Sequence, residues 1–530
     1  MANDDNGNPR DNTHYYHSYV GKNIPWLLGA QAETRPHAPF FYWEPFNGES
    51  EVWTYRHFHH ETCRLAAGLQ ESGIQQGDYV LLHMHNCPQY LLTWHACAML
   101  GAVVVTTNPR ASAQEMAYFI SHSTVRFAIT QPAFLGLIKA SGDNFHWIAC
   151  TDTDGGEPAG AEVDCEFLLE DLFGIADRLE PADIGPLENL SVQYTSGTTS
   201  RPKGVVWTHA NALWAGQVGA AHNTLTENDV GLVFTPLCHT NAMSWAHLPV
   251  LWSGSSFALQ PRFSSSRFWA VATQHRCTWA NVIPFAVQAL ASVEPPERHD
   301  FRHWVVGFAN SGELEKRLNV PFVGAWGMTE IVTHATFTPL HLPTPEMSMG
   351  MPSTQYQLKV VDPLDNPTPV GEIGLLKVKG VPGISLFKEY LFNPEATTAS
   401  FDEQGWFDTG DLVRVLESGH LRFSDRAKDM LKVGGENVAA SEIEVVVARV
   451  NGVLEAAVVG KPDPLRSELP VVFVRAQNPC EDLTARILQR CRDELPDFKV
   501  PIEVHYLDDF PRSELNKIAK KELRAMVCSD

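Results

Sequence analysis

The sequence lacks the features that mark secreted, membrane-inserted or zinc-rich proteins. Its ten cysteines lie far apart, without a C-x-x-C pair or a Cys/His spacing typical of a metal site, so we expect reduced thiols in a cytoplasmic protein. The polar residues 1–16 carry no apolar signal core, and we expect no secretion. The apolar run nearest to membrane length, residues 90–106, contains His95 and Gly101 and changes its period. We therefore expect a buried helix and strand there, and no membrane insertion.

Basic residues are also scarce. The chain has 40 Lys and Arg against 62 Asp and Glu, a net charge of −22. Such an acidic protein repels nucleic acid and anionic membranes, so we expect neither as a partner. Any site for an anionic ligand must be locally rich in backbone donors or in lysine and arginine.

With 530 residues, of which 44% are hydrophobic, the chain is too long for one core, and at least two domains are expected. Helical spacing from Phe58 is followed by a strand-like run from Tyr79, a helical stretch from Pro88 to Leu100 and a short β-branched run to Thr106. This alternation predicts an α/β fold, with helix-covered β-sheets in a large N-terminal domain over residues 1–425. Residues 152–162 (DTDGGEPAGAE) are predicted to form an exposed loop.

The pattern changes near residue 425. Ser441 and Glu444 have the S-x-x-E spacing of a capping box that opens a helix. Strand-like runs at 453–459 and 471–474 follow, and then an amphipathic helix with Leu483, Ile487 and Cys491 on one side. These elements predict a small α+β C-terminal domain over residues 426–530.

The sharpest local signal is residues 194–204 (YTSGTTSRPKG), between two short apolar runs. Glycine and small hydroxyl residues let backbone N–H groups approach phosphate oxygens, and Lys203 adds positive charge. The glycine-to-lysine spacing is not that of a Walker A loop. From composition alone, a Gly/Ser/Thr linker remains an equal alternative.

Further motifs occur along the chain. They are residues 236–241 (PLCHTN), 324–330 (GAWGMTE), 405–411 (GWFDTGD), 425–429 (DRAKD) with Lys432, 434–437 (GGEN), and 511–513 (PRS) with Lys517. In this order they resemble the motifs of the acyl-adenylate-forming superfamily, which contains acyl-CoA synthetases, luciferase-type enzymes and peptide-synthetase adenylation domains. The resemblance spans nearly the whole chain.

The resemblance implies an ATP-dependent, AMP-forming ligase that joins a small-molecule carboxylic acid to coenzyme A, with Mg²⁺ as the metal. The implied phosphate-binding residues are Thr195, Ser196, Gly197, Thr198, Thr199 and Lys203. Thr329 is implied to contact the α-phosphate, and Glu330 to bind Mg²⁺ together with the hydroxyl of Thr195. Outside the motif, Glu330 would be read as a carboxylate at a helix N-terminus.

Other matched positions are implied to bind the nucleoside. The implied adenine-binding loop is Ser311, Gly312 and Glu313, with Trp326 near the base, and Gly327 and Met328 are also implied to bind the cofactor. Asp411 resembles the ribose-binding aspartate, and Arg426 is implied to reinforce the ribose and phosphate contacts. Without the motif, Asp411 would be an ordinary turn residue.

The small domain is implied to move. Lys517 is implied to be catalytic, because its ammonium group can bridge the carboxylate and the α-phosphate, although Asn516 replaces the family's glycine. Lys428 falls at the hinge position about which the domain rotates between the two half-reactions. Lys432, Gly434 and Gly435 are then implied to line the coenzyme A path.

The acyl group is expected near a second set of positions. His239 matches a gate between the carboxylate site and the coenzyme A tunnel, and the predicted pocket residues are His239, Asn241, Trp245, Gly324 and Trp326. Their bulk favours a small or medium acid. Residues 261–269 (PRFSSSRFW) resemble the crotonobetaine/carnitine–CoA-ligase-like group.

Three alternatives stay open at this stage. They are an adenylating enzyme with a carrier protein or an amine as acceptor, a non-catalytic sensor of acyl-adenylate or nucleotide, and, more remotely, a luciferase-like oxidation. A homodimer is compatible with the sequence.

Overall fold

A computed structural model describes residues 17–158, 165–195, 202–307, 312–426, 430–433, 436–463, 466–495, 497–512 and 518–527. Within these ranges the chain forms two compact units. Unit 1 contains residues 17–195, 202–357 and 378–407, and unit 2 contains residues 358–377 and 408–527. The predicted α/β class, with a large and a small domain, is confirmed. The boundary at 425/426 and the hinge remain predictions, and Lys428 lies outside the described residues.

Unit 1 is built on two mostly parallel sheets. In the described part of the chain, sheet A has nine strands, in the spatial order Met351–Pro352, Thr336–Phe337, Phe322–Trp326, His303–Val306, Trp279–Asn281, Val230–Val233, Ser256–Leu259, Pro39–Trp43 and Glu51–Thr54. Its six central strands are parallel. Over the same described ranges, sheet B has eight strands, in the order Glu389–Tyr390, Lys203–Thr208, Asn189–Thr195, Val103–Thr106, Tyr79–His83, Phe127–Thr130, Trp147–Cys150 and Phe167–Leu168.

Helices cover these sheets. The α-helices of unit 1 are Ile24–Thr34, Tyr55–Glu71, Pro88–Leu100, Ala113–Ser123, Pro132–Ser141, His209–His222, Thr240–Ala242, Leu248–Ser253, Ser265–Gln274, Pro284–Leu290, Gly312–Leu318 and Pro394–Ala399. Short 3₁₀ helices are Leu169–Leu172, Ala176–Arg178 and Thr329–Ile331, and Met243–His247 is a π-helix. None of the described helices combines the length and the apolar composition needed to cross a membrane.

The apolar run at 90–106 shows why the sequence folds in this way. The helix Pro88–Leu100 starts at a proline and ends where Gly101 takes a left-handed φ of 67°. All of its side chains except Gln89 are buried, as expected for a helix that is apolar on every face. The strand Val103–Thr106 follows it, so the predicted buried helix and strand are confirmed.

Unit 2 contains two smaller sheets. One sheet of the described chain has four strands, Gln357–Val361, Ile373–Lys379, Phe407–Val415 and Leu421–Arg426. At their ends, Gln357, Val378, Lys379 and Phe407 belong to unit 1. The other contains Glu436–Val438, Leu431–Val433, Ser467–Ala476, Val453–Asp463 and Glu503–Tyr506. The helices are Ala440–Ala448, Glu481–Glu494 and Lys520–Val527, with a 3₁₀ turn at Asp497–Lys499. Leu483, Ile487 and Cys491 are buried in the unit's core, which confirms the predicted amphipathic helix.

The predicted capping box of Ser441 and Glu444 is wrong. The helix near Ser441 has Ala439 as its N-cap, without a side-chain cap. Ser441 instead donates to the carbonyl oxygen of Ser424, and the Glu444 carboxylate accepts from Val458 N at 2.7 Å, so tertiary partners replace the capping box.

Residues 152–162 are not simply an exposed loop. Thr153–Asp154 and Glu157–Pro158 pair as a small hairpin, with positive φ at Gly155 and Gly156, and Gly155 is buried. The Asp154 carboxylate accepts from Ala133 N at 2.9 Å, which attaches the hairpin to the neighbouring helix. Residues 159–162 lie outside the described residues.

Unit 1 buries several histidines in neutral form. Burial lowers the pKa of His209, His247 and His303 to about 3. Burial also lowers the pKa of His95 and His334 well below the usual value. Each of these rings takes up a proton in the unfolded chain near pH 6.5 but not in the folded chain. Below that pH the unfolded state therefore binds more protons, and folding stability falls.

We predict that the free energy of unfolding of unit 1 decreases as the pH falls from about 6.5 towards 4, by up to about 1.4 kcal/mol per pH unit for each such histidine. His303→Gln keeps a donor for Asn223 Oδ1, which lies 2.8 Å from His303 Nε2, and should make this slope shallower. Urea unfolding followed by tryptophan fluorescence measures it, because all 14 tryptophans lie in unit 1. The exposed His37→Gln is the control, and an unchanged slope in His303→Gln would contradict the prediction.

Candidate active site

Three predicted site residues of unit 1, together with Asn108, which was not predicted, lie where parallel strands end. Asn108 follows Val103–Thr106, His239 follows Val230–Val233, and Thr329 and Glu330 follow Phe322–Trp326. Ligands of open parallel sheets bind outside these carboxyl ends. A ligand site is therefore expected at the carboxyl ends of these strands.

Asn86 joins the strand ends of the two sheets. It follows the strand Tyr79–His83 of sheet B and is 1% exposed. Its Nδ2 donates to the carbonyl oxygens of Thr235 (2.9 Å) and Gln260 (3.1 Å), which follow two strands of sheet A. Its Oδ1 accepts from Leu237 N at 2.8 Å. One amide thus fixes the start of the segment that leads to His239.

His239 is held by a second asparagine. Asn108 Nδ2 lies 2.9 Å from His239 Nε2, and Asn108 Oδ1 accepts from Arg110 N at 2.9 Å. That second bond orients the amide so that its N–H group faces the imidazole. Nε2 is then the acceptor, which leaves the proton of a neutral ring on Nδ1.

Thr329 and Glu330 are fixed by three neighbouring elements. Trp207 Nε1 donates to Thr329 O at 2.8 Å, and Thr240 Oγ1 lies 3.3 Å from Thr329 Oγ1. The Glu330 side chain is 5% exposed, and its Oε1 accepts from the hydroxyl group of Tyr390 at 2.9 Å. Glu330 O accepts from Phe387 N at 2.8 Å. The buried Glu330 carboxylate is therefore held by Tyr390, and the hydroxyl group of its neighbour Thr329 is held by Thr240.

The ends of the predicted phosphate loop lie on paired strands. Thr195 and Lys203 face each other where Asn189–Thr195 and Lys203–Thr208 pair, and Thr195 Oγ1 donates to Lys203 O at 3.4 Å. The Lys203 ammonium lies 4.3 Å from the centroid of the Tyr390 ring. The predicted residues Ser196, Gly197, Thr198 and Thr199 lie outside the described residues.

Tyr390 therefore touches both groups. Burial and the nearby Glu330 carboxylate raise the pKa of Tyr390, so its hydroxyl group remains a donor at neutral pH. Through this ring the structure brings together Lys203 and Glu330, two residues from separate sequence motifs.

Two predicted acyl-pocket residues, Asn241 and Trp245, follow His239 along the chain. The Trp245 ring lies in the π-helix, with its centroid 4.3 Å from that of His334. Trp245 Nε1 and His334 Nε2 are buried without a hydrogen-bond partner among the described residues. Asn241 Oδ1 accepts from Thr235 Oγ1 at 2.8 Å.

Glycine is required at two positions of the motif GAWGMTE. A Cβ atom at Gly324 would lie 2.5 Å from Ser348 O, and one at Gly327 would lie 2.2 Å from Thr333 O. Trp326, between them, is 6% exposed, and its carbonyl oxygen accepts from Ala335 N at 2.9 Å. The turn that carries Met328, Thr329 and Glu330 is thus folded tightly back onto its own strand.

In unit 2, Asp411 is 1% exposed and lies in the strand Phe407–Val415, not in a turn. The strand register places it opposite Arg426, so these two predicted ribose-side residues are brought together in the backbone. Lys432 lies opposite Asn437 in a strand pair. The predicted residues Gly434, Gly435 and Lys517 lie outside the described residues.

The predicted adenine-side segment is described in part. Gly312 and Glu313 begin the helix Gly312–Leu318, and Ser311 lies outside the described residues. Their roles, like those of the other predicted site residues, remain predictions.

Sequence reasoning did not identify four side chains of this cluster. They are Asn108, Trp207, Thr240 and Tyr390. A polar residue directly after a β-branched strand was an available signal for Asn108. No local pattern distinguishes Tyr390, which reaches Glu330 only through tertiary structure.

The carboxylate oxygens of Glu330 are ligands that suit the predicted Mg²⁺. No group of three or more His, Cys, Asp or Glu side chains in the described part of the chain forms a metal cage. Mg²⁺ usually takes one or two carboxylates and obtains its other oxygen ligands from water and substrate phosphates. The single buried carboxylate of Glu330 fits that requirement.

Comparison with known proteins agrees with this geometry. Residues 28–391 match the profile of the AMP-binding enzyme family, and residues 442–517 match that of the AMP-binding enzyme C-terminal domain. The chain therefore belongs to the AMP-binding enzymes, the acyl-adenylate-forming superfamily, and the predicted resemblance is confirmed.

Particular relatives extend this result. The chain is 31% identical to crotonobetaine/carnitine–CoA ligase of Escherichia coli over 523 residues, which are 95% of this chain and 99% of that protein. An anthranilate CoA ligase in complex with anthranoyl-AMP has the same fold (TM-score 0.86, 23% identity, 96% and 98% coverage). So does O-succinylbenzoate coenzyme A synthetase of Bacillus subtilis in complex with ATP and a magnesium ion (TM-score 0.80, 24% identity, 94% and 98% coverage).

We predict that Gly327→Ala destabilises unit 1 by about 1–3 kcal/mol, the usual result of forcing a methyl group into a filled space. The added Cβ would meet backbone atoms of Thr333, which cannot move aside as a flexible side chain does. Urea unfolding followed by tryptophan fluorescence measures the change. Gly136→Ala is the control, because its Cβ would meet nothing within 4 Å and the helix favours alanine. Equal stability of the two variants would contradict the prediction.

Proposed function

We propose that the protein is an AMP-forming acyl-CoA synthetase, which activates a carboxylic acid with ATP and transfers the acyl group to coenzyme A. The observation that carries the proposal is the contact of Tyr390 with both Glu330 and Lys203, the implied metal-binding and phosphate-binding residues. Relatives whose names specify CoA ligases and a bound acyl-AMP give independent support.

In the first half-reaction, a carboxylate oxygen attacks the α-phosphorus of ATP and the bond to pyrophosphate breaks. The reaction brings the negative charges of the carboxylate and of the triphosphate close together. The protein therefore contributes by positioning and by electrostatic stabilisation. Lys203 and Thr195 would bind the departing phosphates, Thr329 the α-phosphate, and Glu330 the Mg²⁺. Bound Mg²⁺ would neutralise negative charge on the phosphates.

In the second half-reaction, the sulfur atom of coenzyme A attacks the acyl carbon, the carbon–oxygen bond to AMP breaks, and the thiol proton is released. His239 would act as the gate between the acid and the thiol path. Its Nε2 is already bonded to Asn108, which suits a steric role better than proton transfer through that nitrogen. Asp411 and Arg426 are proposed to hold the ribose, and Lys432, Gly434 and Gly435 the pantetheine arm.

The acid is proposed to be compact and to carry a polar group. Bulky rings of Trp245, Trp326 and His334 support a short substrate. The buried Trp245 Nε1 and His334 Nε2 lack partners among the described residues, and buried polar atoms are normally satisfied. A substrate with hydrogen-bonding groups would satisfy them.

A pyrophosphate-release screen, with and without coenzyme A, tests the proposal. We expect release with short polar acids, such as crotonobetaine, carnitine or anthranilate, and much less with long unbranched acids. Coenzyme A should then give a thioester and AMP in equal amounts. Pyrophosphate release without a thioester would indicate a carrier protein or an amine as acceptor. Nucleotide binding without any acid-dependent release would favour the sensor.

We predict that Lys517→Ala slows acyl-AMP formation at least about 100-fold, the scale of losing one transition-state donor. Thioester formation from supplied acyl-AMP should change little, because that step no longer needs charge compensation at the α-phosphorus. Rapid-quench assays of the two half-reactions measure both rates. The exposed Lys521→Ala is the control. Equal losses in both half-reactions would refute the role of Lys517.

A further inference from the structure

Tyr390 occupies a fixed position between the two charged groups of the site. Its hydroxyl group donates to Glu330 Oε1 at 2.9 Å, while the Lys203 ammonium lies 4.3 Å from the centroid of its ring. The ring is 4% exposed. One side chain thus uses its polar end for the carboxylate and its aromatic face for the cation.

The backbone holds this ring in place. The strand Glu389–Tyr390 pairs with Lys203–Thr208, with Val205 opposite Tyr390, and Leu391 N donates to Gly204 O at 2.7 Å. Tyr390 N donates to Thr397 Oγ1 at 2.9 Å. The tyrosine is therefore attached to the strand that carries Lys203.

Glu330 reaches this ring from the other sheet. It follows the strand Phe322–Trp326 of sheet A, and Phe387 N holds its carbonyl oxygen at 2.8 Å. A hydrogen bond to one carboxylate oxygen limits rotation of the group about its last bond. Such support of a metal-binding carboxylate commonly changes metal affinity by about 10–100-fold.

We propose that Tyr390 is a positioning residue of this site, with its hydroxyl group orienting the Glu330 carboxylate for Mg²⁺ and its ring holding the Lys203 ammonium at the phosphate loop. The inference rests on the proposed function, since that function assigns Glu330 to the metal and Lys203 to the phosphates. The two parts of the tyrosine have separate tasks, so two substitutions can separate them.

Tyr390→Phe removes the hydroxyl group and keeps the ring, whereas Tyr390→Leu removes both. Mn²⁺ binding in the presence of ATP and without any acid, followed by electron paramagnetic resonance, reports on the carboxylate without turnover. ATP binding in EDTA, by displacement of a fluorescent nucleotide, reports on Lys203. Thermal unfolding of each variant shows whether it is folded.

In Tyr390→Phe we expect the Mn²⁺ dissociation constant to rise about tenfold, with ATP binding in EDTA unchanged within about twofold because the ring remains. Tyr390→Leu should lose Mn²⁺ affinity to a similar degree and also weaken ATP binding about threefold, the scale of one weak cation–π contact. High Mg²⁺ should restore turnover in Tyr390→Phe but not in Tyr390→Leu.

Tyr356→Phe is the matched control. The hydroxyl group of Tyr356 is also buried and donates to the carbonyl oxygen of Ile331 at 2.7 Å, next to Glu330. Among the described residues it has no hydrogen bond to a carboxylate. An equal loss of Mn²⁺ affinity in Tyr356→Phe would show general loosening of the segment and overturn the proposal. Unchanged Mn²⁺ binding in Tyr390→Phe would overturn it as well.

These results are distinct from failure of the proposed function. If the unsubstituted protein bound neither ATP nor Mn²⁺, the function itself would be wrong. If it bound both and released pyrophosphate, while the tyrosine variants behaved like it, only the role of Tyr390 would fall.

Discussion

The site of unit 1 depends on the hydrogen bonds of Asn86, which join the carboxyl ends of strands from two different sheets. Each sheet alone would end in loops free to take many arrangements. The buried amide satisfies two carbonyl groups of sheet A and one N–H group of the segment that leads to His239. Because a buried polar group without a partner costs about 1–3 kcal/mol, loss of this amide while the sheets stay packed would remove a partner from three backbone groups at once.

Local chemistry in the sequence accounts for much of this architecture. The helix Pro88–Leu100 was predictable because a proline starts it, a glycine ends it and apolar residues fill it. His239, Thr329 and Glu330 were found as motif positions, and the structure adds that they follow parallel strands, whose carboxyl ends meet at one edge of a sheet. The resemblance supplied their roles, which spacing alone does not.

Other features depend on residues distant in sequence. Ser441 and Glu444 have capping-box spacing, but tertiary donors and acceptors compete successfully for both side chains. Tyr390 lies in a two-residue strand without any local signature, and its contacts with Glu330 and Lys203 exist only once both sheets are formed. Long-range pairing, and not propensity, decides such positions.

The π-helix Met243–His247 has a consequence for how the predicted acyl-pocket residue Trp245 can be repositioned. A π turn accommodates one more residue than an α turn, while the helix Leu248–Ser253 beyond it continues to pack in the core. Loss or gain of a single residue at this turn would rotate Trp245 relative to the strand ends without changing either sheet. The protein therefore contains a turn at which insertion or deletion, and not only exchange of side chains, can change what lies beside these strand ends.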